Sequence, residues 1–166
     1  MRKTDGLFAK SCQTISEEFP NVKFDEMYVD ACSMNLIRQP QEFDVIVTTN
    51  LFGDILSDQS SQVVGGLGMA PAANLGDNFG LFEPVHGAAF DIAGKQIANP
   101  TSFILSIKMM LQWLGNKNND QNSIFAADTL EQTVLGLVKS GILTKDIGGD
   151  KSTKEFTKEI TNGLVS

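Results

Sequence analysis

The sequence contains few of the residues that catalytic and metal sites use most often. Its 166 residues include one His, one Tyr, one Trp and two Cys. Cys12 and Cys32 are too few for a disulfide framework and lack the spacing of a metal site. A reducing cytoplasm is therefore the expected location. With so few acid–base candidates, function must depend on carboxylates and on the backbone.

Long apolar runs and positive charge are also lacking. No segment has the uninterrupted apolar length of a membrane span, and residues 1–6 lack the apolar block of a signal peptide. The formal net charge is -7, so nucleic acid is an unfavourable partner. The hydrophobic fraction of 42% is enough for one globular domain with a core.

The most informative stretch runs from Phe43 to Asp58. Residues 43–47 form a short apolar run rich in β-branched side chains, which predicts a buried strand. Thr48, Thr49 and Asn50 then supply the side-chain oxygens that cap a helix, and helical spacing begins at Leu51.

Asp54 and Asp58 lie at positions i and i+4 of that predicted helix. Their carboxylates therefore lie on one helix face, where like charges repel each other. A solvated face is one interpretation. Because the pair follows the carboxyl end of a predicted strand, where open α/β sheets bind ligands, we favour ligation of a hard divalent cation such as Mg²⁺.

Helical and extended patterns alternate in the first third of the chain, which predicts a parallel α/β arrangement. The predicted elements there are a helix containing Phe8, Cys12, Ile15 and Phe19 and closed by Pro20, a strand at 23–30, a helix at 31–38, the strand at 43–47, and a helix from 51 that fades near 64–66.

The composition changes at Gly65. Residues 65–77 are rich in Gly, Ala and Pro but lack the G-x-G-x-x-G pattern, so a Rossmann fold is not predicted. The elements predicted beyond are a short strand at 80–83, a small-residue loop at 86–95, a helix opened by Asn99-Pro100-Thr101, a solvated linker at 116–122, a helix at 124–138, a turn at 146–149 and a helix at 152–164.

Three further polar residues are candidates for a site. Asp30 ends a predicted strand and could join Asp54 and Asp58, although it could equally cap the helix that follows. Asp91, a lone acid among small residues, could accept a ribose diol or form an ordinary Asx turn. His86 could contact a nucleotide base or act as a cap, and position alone does not decide between them.

Four motifs in order resemble the metal-dependent β-decarboxylating dehydrogenases, a family that includes 3-isopropylmalate, NAD-isocitrate, homoisocitrate and tartrate dehydrogenases. The motifs are residues 28–31 (YVDA), 50–58 (NLFGDILSD), 82–87 (FEPVHG) and 91–101 (DIAGKQIANPT). The sequence of the second motif is most similar to that of the isopropylmalate branch. The resemblance implies an α/β, two-lobed fold that is not a Rossmann fold, with oxidative decarboxylation of a 2-hydroxy acid in leucine biosynthesis as the preferred activity.

The resemblance also implies the cofactors and their ligands. Asp30, Asp54 and Asp58 would bind Mg²⁺ or Mn²⁺, with Asp30 contributed across a dimer interface. The stretch from His86 to Asn99 would hold the adenosine end of NAD, with Asp91 on the ribose diol and with Gly87, Ile92 and Asn99 as further contacts. NADP-using relatives carry a basic residue at the position of Asp91.

One departure from the family pattern matters more for activity than the matches do. The family's catalytic Lys would lie just before Met1, and the substrate-clamping arginines and the proton-donating Tyr would also lie upstream. Residues 1–64 would then be part of a small dimerising lobe and residues 65–166 part of a large NAD-binding lobe, so the chain resembles the C-terminal half of an enzyme. We expect no catalytic residue within it, a homodimer, and a separate N-terminal half as a further partner. A non-catalytic nucleotide-binding or partner-binding subunit and an inert fragment are the alternatives.

Overall fold

A computed structural model describes residues 3–165 of the chain. These residues form two compact units, one ending at Val47 and the other beginning at Thr48. Within the described residues, no helix is both long enough and apolar enough to cross a membrane. The assignment of residues 1–64 and 65–166 to two lobes stays a prediction.

The first unit is built from two helices. Helix α1 spans Thr4–Ser16 and helix α2 spans Val29–Arg38, with Cys32 and Leu36 buried one turn apart. Both helices are confirmed, because their apolar spacing is a local property of the chain, but α1 ends at Ser16, so Phe19 lies outside the helix that was predicted to contain it. The strand predicted at 23–30 is wrong: residues 23–28 have no regular secondary structure, and Val29 and Asp30 already belong to α2.

The strand predicted at 43–47 is also absent. Phe43 is extended, but Asp44 forms a bend, residues 45–47 pair with no other segment of the described chain, and Val45 is 90% exposed. A strand is stabilised by hydrogen bonds to a neighbouring strand and by a covered face. Neither is present for this apolar segment, so no strand forms and most of its residues are exposed.

The second unit combines four helices with one hairpin. They are α3 (Asn50–Val63), β1 (Pro71–Leu75), β2 (Gly80–Pro84), α4 (Thr101–Asn118), α5 (Gln121–Lys139) and α6 (Thr153–Val165). The two strands pair antiparallel, with Ala73 opposite Phe82. The predicted α/β class is confirmed, whereas the sheet found within residues 3–165 is antiparallel and not the predicted parallel one.

The main core of the second unit lies between α5 and α6. Leu130 and Val134 of α5 meet Phe156 and Ile160 of α6, each pair being four residues apart on its helix. Apolar residues of α4 pack against this cluster. Helical spacing therefore determines which residues are buried.

Helix α4 also joins the hairpin through polar and aromatic contacts. Ser102 and Ser106 are buried and donate hydrogen bonds to the carbonyl oxygens of Ala70 and Glu83. The ring of Trp113 lies 6.0 Å from that of Phe82. These contacts satisfy backbone groups at the hairpin ends and hold it on the helix.

A cation completes this contact at the turn of the hairpin. Lys117 Nζ lies 4.6 Å from the centroid of Trp113 and donates to the carbonyl oxygens of Asp77 and Asn78 at 3.1 and 2.9 Å. The turn between β1 and β2 is thereby tied to the last turns of α4.

The solvated linker predicted at 116–122 is mostly helical. Helix α4 continues to Asn118, Asn119 adopts the left-handed conformation with φ 54°, and the side chain of Asp120 accepts a hydrogen bond from the Asn122 N–H at the start of α5. Asn tolerates this conformation, so two residues are enough to reverse the chain. Polar composition indicated a loop here, but exposed helical residues are polar too.

Candidate metal and nucleotide site

Asp54 and Asp58 lie one turn apart on α3, as their spacing predicts. Both are exposed, whereas Leu56 and Ser61 are buried on the same helix. Residues at this spacing have Cβ atoms about 5–6 Å apart, which lets two carboxylates reach one cation. The helix starts at Asn50 with Thr49 as its N-cap, but the predicted side-chain cap from Thr49 is not formed.

The carboxylates of this pair are largely uncommitted. Asn50 Nδ2 donates to Asp54 Oδ2 at 3.3 Å, and neither carboxylate forms an ion pair with Lys or Arg among residues 3–165. Two exposed carboxylates without a counter-cation repel each other, and a hard divalent cation removes that repulsion. The donor set fits Mg²⁺ or Mn²⁺ as a partial shell.

Asp30 belongs to the first unit. It lies in the first turn of α2, and its Oδ1 atom accepts a hydrogen bond from the N–H of Ala31 at 2.8 Å. In the described part of the chain, no three Asp, Glu, His or Cys side chains form a group that could hold a metal ion. The contribution of Asp30 across a dimer interface stays a prediction.

The loop predicted to hold nucleotide begins at His86, whose Nδ1 lies 2.9 Å from the carbonyl oxygen of Gly87. Asp91 lies in a single 3-10 turn, Phe90–Ile92, and is exposed. Its carboxylate makes no hydrogen bond or ion pair within residues 3–165, so the Asx turn considered above is not formed. An exposed carboxylate without a partner is able to accept the two hydroxyls of a ribose.

Asn99, at the far end of the loop, is held by three contacts. Its Oδ1 accepts from the N–H of Thr101 at 3.0 Å, and its Nδ2 donates to Oδ2 of Asp146 at 3.0 Å. Nδ2 also lies 3.4 Å from the sulfur of Met69. The side-chain amide of Asn99 therefore links the start of α4 to Asp146, which lies 47 positions after Asn99 in the chain.

Sequence reasoning missed Asp146 as part of this arrangement. The buried Thr144 donates from Oγ1 to Oδ1 of Asp146 at 2.6 Å. Residues 146–149 indicated only a turn, which the structure has as a 3-10 turn, Lys145–Ile147, followed by Gly148 at φ 87°. The sequence does show Thr144 and Asp146 two residues apart, just before two glycines. That local pattern does not reveal that Asp146 contacts Asn99.

The C-terminal helix anchors the loop independently. Thr153, the first residue of α6, donates its N–H to the carbonyl oxygen of Gln96 at 3.0 Å and its hydroxyl to that of Ala98. Gln96 has φ 56°, a left-handed conformation that costs free energy in a residue with a Cβ. The loop is therefore fixed at its end by residues from three later segments.

One of the two cysteines, Cys32, lies in helix α2 of the first unit. Cys32 is buried, and its burial raises the pKa of its thiol, which keeps it neutral. A nucleophilic role for Cys32 is therefore not favoured.

The sequence profile of the family described as "Isocitrate/isopropylmalate dehydrogenase" matches residues 1–160. The chain belongs to this family. The 3-isopropylmalate dehydrogenase of Saccharolobus solfataricus is 53% identical over 161 residues, covering 96% of this chain and 47% of that protein. The isocitrate/homoisocitrate dehydrogenase of Thermus thermophilus is 48% identical over 163 residues, covering 98% and 47%.

A solved structure supports the family fold. The isocitrate dehydrogenase from Methylococcus capsulatus superposes with a TM-score of 0.90 at 42% identity, over 99% of this chain and 48% of that one. The resemblance inferred from the four motifs is confirmed. This member of the isocitrate/isopropylmalate dehydrogenase family spans about half the length of the curated relatives it matches.

Proposed function

We propose that this chain supplies the metal-binding and adenosine-binding half of an NAD-dependent and Mg²⁺- or Mn²⁺-dependent dehydrogenase that decarboxylates a 2-hydroxy acid. The observation that carries the proposal is the exposed Asp54–Asp58 pair on α3, within a chain of this family. We prefer 3-isopropylmalate as the substrate, with isocitrate or homoisocitrate next. The names of the relatives, which include both activities, support this order.

Asp54 and Asp58 would hold the metal, with Asp30 of a second subunit as a further ligand. When bound, such a metal acts as a Lewis acid that polarises the substrate hydroxyl and carboxylate. The two side chains would orient that ion on the exposed face of α3, and their carboxylates would attract the cation.

A metal titration tests this part of the proposal. We expect Mn²⁺ to bind the chain and to enhance water-proton relaxation, more weakly than in a full enzyme because the substrate's ligands are missing. Asp58→Asn should weaken the enhancement, whereas Asp128→Asn, an exposed acid on α5, should leave it unchanged. Equal binding by Asp58→Asn and the parent would show that the pair is only a solvated face.

The loop from His86 to Asn99 would hold the adenosine end of NAD. Asp91 would accept the ribose hydroxyls, and its negative charge would repel the 2′-phosphate of NADP. Its exposure and lack of a partner among the described residues support this role. His86, Gly87 and Ile92 would line the same loop, and Asn99 ends it.

Calorimetric titration of the purified chain with NAD tests the nucleotide site. We expect binding in the micromolar range, about -8 kcal/mol at 1 μM, and weaker binding by Asp91→Asn. The Asp128→Asn variant is again the control. Absence of heat at millimolar NAD would instead support an inert fragment.

We further propose that residues 1–166 do not turn over substrate on their own. Hydride transfer needs a base for the hydroxyl proton, and decarboxylation needs an acid for the enolate carbon; such a group is worth about 10²–10⁴-fold in rate. As the motif resemblance implies, the family's Lys and Tyr would have no counterpart in these residues. NADH formation should appear with isopropylmalate, isocitrate or homoisocitrate only when the remaining half is co-expressed, and robust turnover by residues 1–166 alone would contradict the proposal.

A homodimer is the proposed assembly. Apolar side chains are exposed throughout residues 24–66, among them Tyr28, Val45 and Leu51. Exposed apolar surface of this kind favours association.

A further inference from the structure

Four residues form a connection that we name the Asn99 latch: Gly68, Asn99, Thr144 and Asp146. Asp146 lies between Thr144, which donates to its Oδ1, and Asn99, which donates to its Oδ2. Thr144 is 0% exposed, so its end of the latch is fixed in the interior. Thr144 holds one oxygen of the Asp146 carboxylate, and the other oxygen accepts from Asn99, so the Asn99 side chain is held in a fixed position.

Gly68 shows how closely the latch is packed. A Cβ added to Gly68 would lie 2.9 Å from the Cβ of Asn99 and 3.0 Å from Oδ2 of Asp146. Only a residue without a side chain fits against both partners at once. The short 3-10 turn Leu67–Met69 therefore holds the pair from a third side.

The polar atoms of Asn99 are already engaged within the chain. Its oxygen accepts from Thr101 and its nitrogen donates to Asp146, both at 3.0 Å. A nucleotide that replaced either bond would leave a donor or acceptor of the protein without its partner, which costs free energy. The side chain is thus placed to hold the loop rather than to bind a ligand.

We propose that Asp146 is a positioning residue for the nucleotide loop: it fixes Asn99, and Asn99 fixes the end of the loop at residues 86–99. The loop is then preorganised, so that nucleotide meets Asp91 and the backbone without ordering the loop first. This inference rests on the proposed nucleotide-binding function. It assigns the side chain of Asn99 to the latch and not to the nucleotide.

An exchange of the two side chains tests the proposal. Asn99→Asp (N99D) places two carboxylates 3.0 Å apart and should break the latch. The double variant N99D/D146N restores the bonds to Thr101, to Thr144 and between positions 99 and 146, and gives up only the 3.4 Å contact of the position-99 nitrogen with the sulfur of Met69. The amide introduced at position 146 donates to the carboxylate introduced at position 99 and accepts from Thr144, and that carboxylate still accepts from the N–H of Thr101. A latch predicts damage by N99D and rescue by N99D/D146N.

Hydrogen exchange gives a direct readout, because the Thr101 N–H donates to Asn99 and the Thr153 N–H donates to Gln96. In N99D we expect both amides to exchange at least about tenfold faster and the NAD dissociation constant to rise about tenfold. In N99D/D146N both quantities should return close to the parent values. Rescue of the amide protection without rescue of NAD binding would show direct contact of Asn99 with nucleotide and overturn the positioning role.

A second pair of variants protects the test against a folding failure of N99D. Gly68→Ala should loosen the latch by steric contact, whereas Gly136→Ala, where an added Cβ meets no atom within 4 Å, should not. Unchanged exchange at Thr101 in G68A or in N99D would overturn the latch. If the parent chain binds no NAD, the proposed function falls, and the exchange data alone then decide whether the latch holds the loop.

Discussion

Glu155 shows at the scale of one residue how hydrogen bonding is linked to titration. Its Oε2 accepts from the N–H and the hydroxyl of Ser152 at 2.9 and 2.6 Å, and its own N–H donates to the Ser152 hydroxyl oxygen at 3.2 Å. This reciprocal cap begins α6. The Ser152 bonds to the ionised carboxylate, made by its hydroxyl first and its N–H second, lower the pKa of Glu155.

The lowered pKa predicts an acid-sensitive contribution to stability. Because the folded pKa lies below the unfolded value of about 4.3, the contribution is fully present above that value and is lost as pH falls through the folded pKa. We expect the difference in Tm between the parent and Glu155→Gln to shrink as pH is lowered from about 6 to about 3.

Glu159→Gln, in the same helix, controls for the loss of one negative charge. A Tm difference between the parent and Glu155→Gln that stays constant with pH would contradict the prediction.

The residues of the site differ in how far sequence reveals them. Asp54 and Asp58 share a helix face because they are four residues apart, and that relation is visible in the sequence. Asn99 and Asp146 are 47 positions apart, so their contact depends on how α4, α5 and the following turn pack. Local spacing carries no information about such a pair.

At the scale of elements, the packing of α5 against α6 predicts a large difference between two Phe residues. Phe156 is 0% exposed in the core, whereas Phe125 on α5 is 73% exposed. Replacing a buried Phe by Ala removes apolar contacts and leaves a cavity, at a cost of about 3–5 kcal/mol. We expect that loss for Phe156→Ala in urea unfolding and about 0.5 kcal/mol or less for Phe125→Ala; equal losses would contradict the described packing.

The reversal between α4 and α5 predicts opposite effects for two Gly→Ala changes. At Gly115 a Cβ would lie 2.6 Å from Cγ1 of Ile124 and 3.0 Å from the carbonyl oxygen of Asp120. Overpacking of this kind costs about 1–3 kcal/mol and outweighs the gain in helix propensity. Gly136 has open space, so Gly136→Ala should stabilise the chain by up to about 1 kcal/mol. Denaturant midpoints of the two variants should move in opposite directions, and a shift in the same direction would count against this helix contact.

The helices were more predictable than the strands. Each of α1 to α6 follows from apolar spacing that needs no distant partner, and the structure has all six. The segments at 23–30 and 43–47 have the composition of strands, but strand formation also requires a neighbour that composition cannot supply. β1 was missed because Pro71–Leu75 contains no β-branched or aromatic residue and follows a glycine-rich stretch.

At the scale of the whole molecule, exposed apolar surface predicts association. We expect residues 1–166 to sediment as a dimer or larger species at micromolar concentration, mainly through residues 24–66. Val45→Lys places a charge where a 90% exposed apolar side chain stands and should weaken association. Phe79→Lys, at a residue that is 85% exposed but lies outside this segment, is the matched control. A clean monomer of the parent would contradict the prediction.

The family was predictable from sequence because four motifs identify it. Each motif is a short run of neighbouring residues, and the four occur in the order found in the family. The fold class followed from the same motifs and is confirmed by the superposition at a TM-score of 0.90. The sheet could not be predicted correctly, since a strand's neighbours are a property of the whole molecule.

Because Trp113 packs against Phe82 of the hairpin, its fluorescence reports on whether the hairpin is packed on α4. The chain has one Trp and one Tyr, and Trp113 lies in the second unit whereas Tyr28 lies in the first. Light at the red edge of the absorption band excites the indole selectively, so its emission follows the departure of the hairpin from α4 and the loss of the contact between the Lys117 ammonium and the Trp113 ring. Circular dichroism records the helices of both units. Two different melting midpoints from these signals would show that the two units lose their structure separately, and one shared midpoint would show a single cooperative transition.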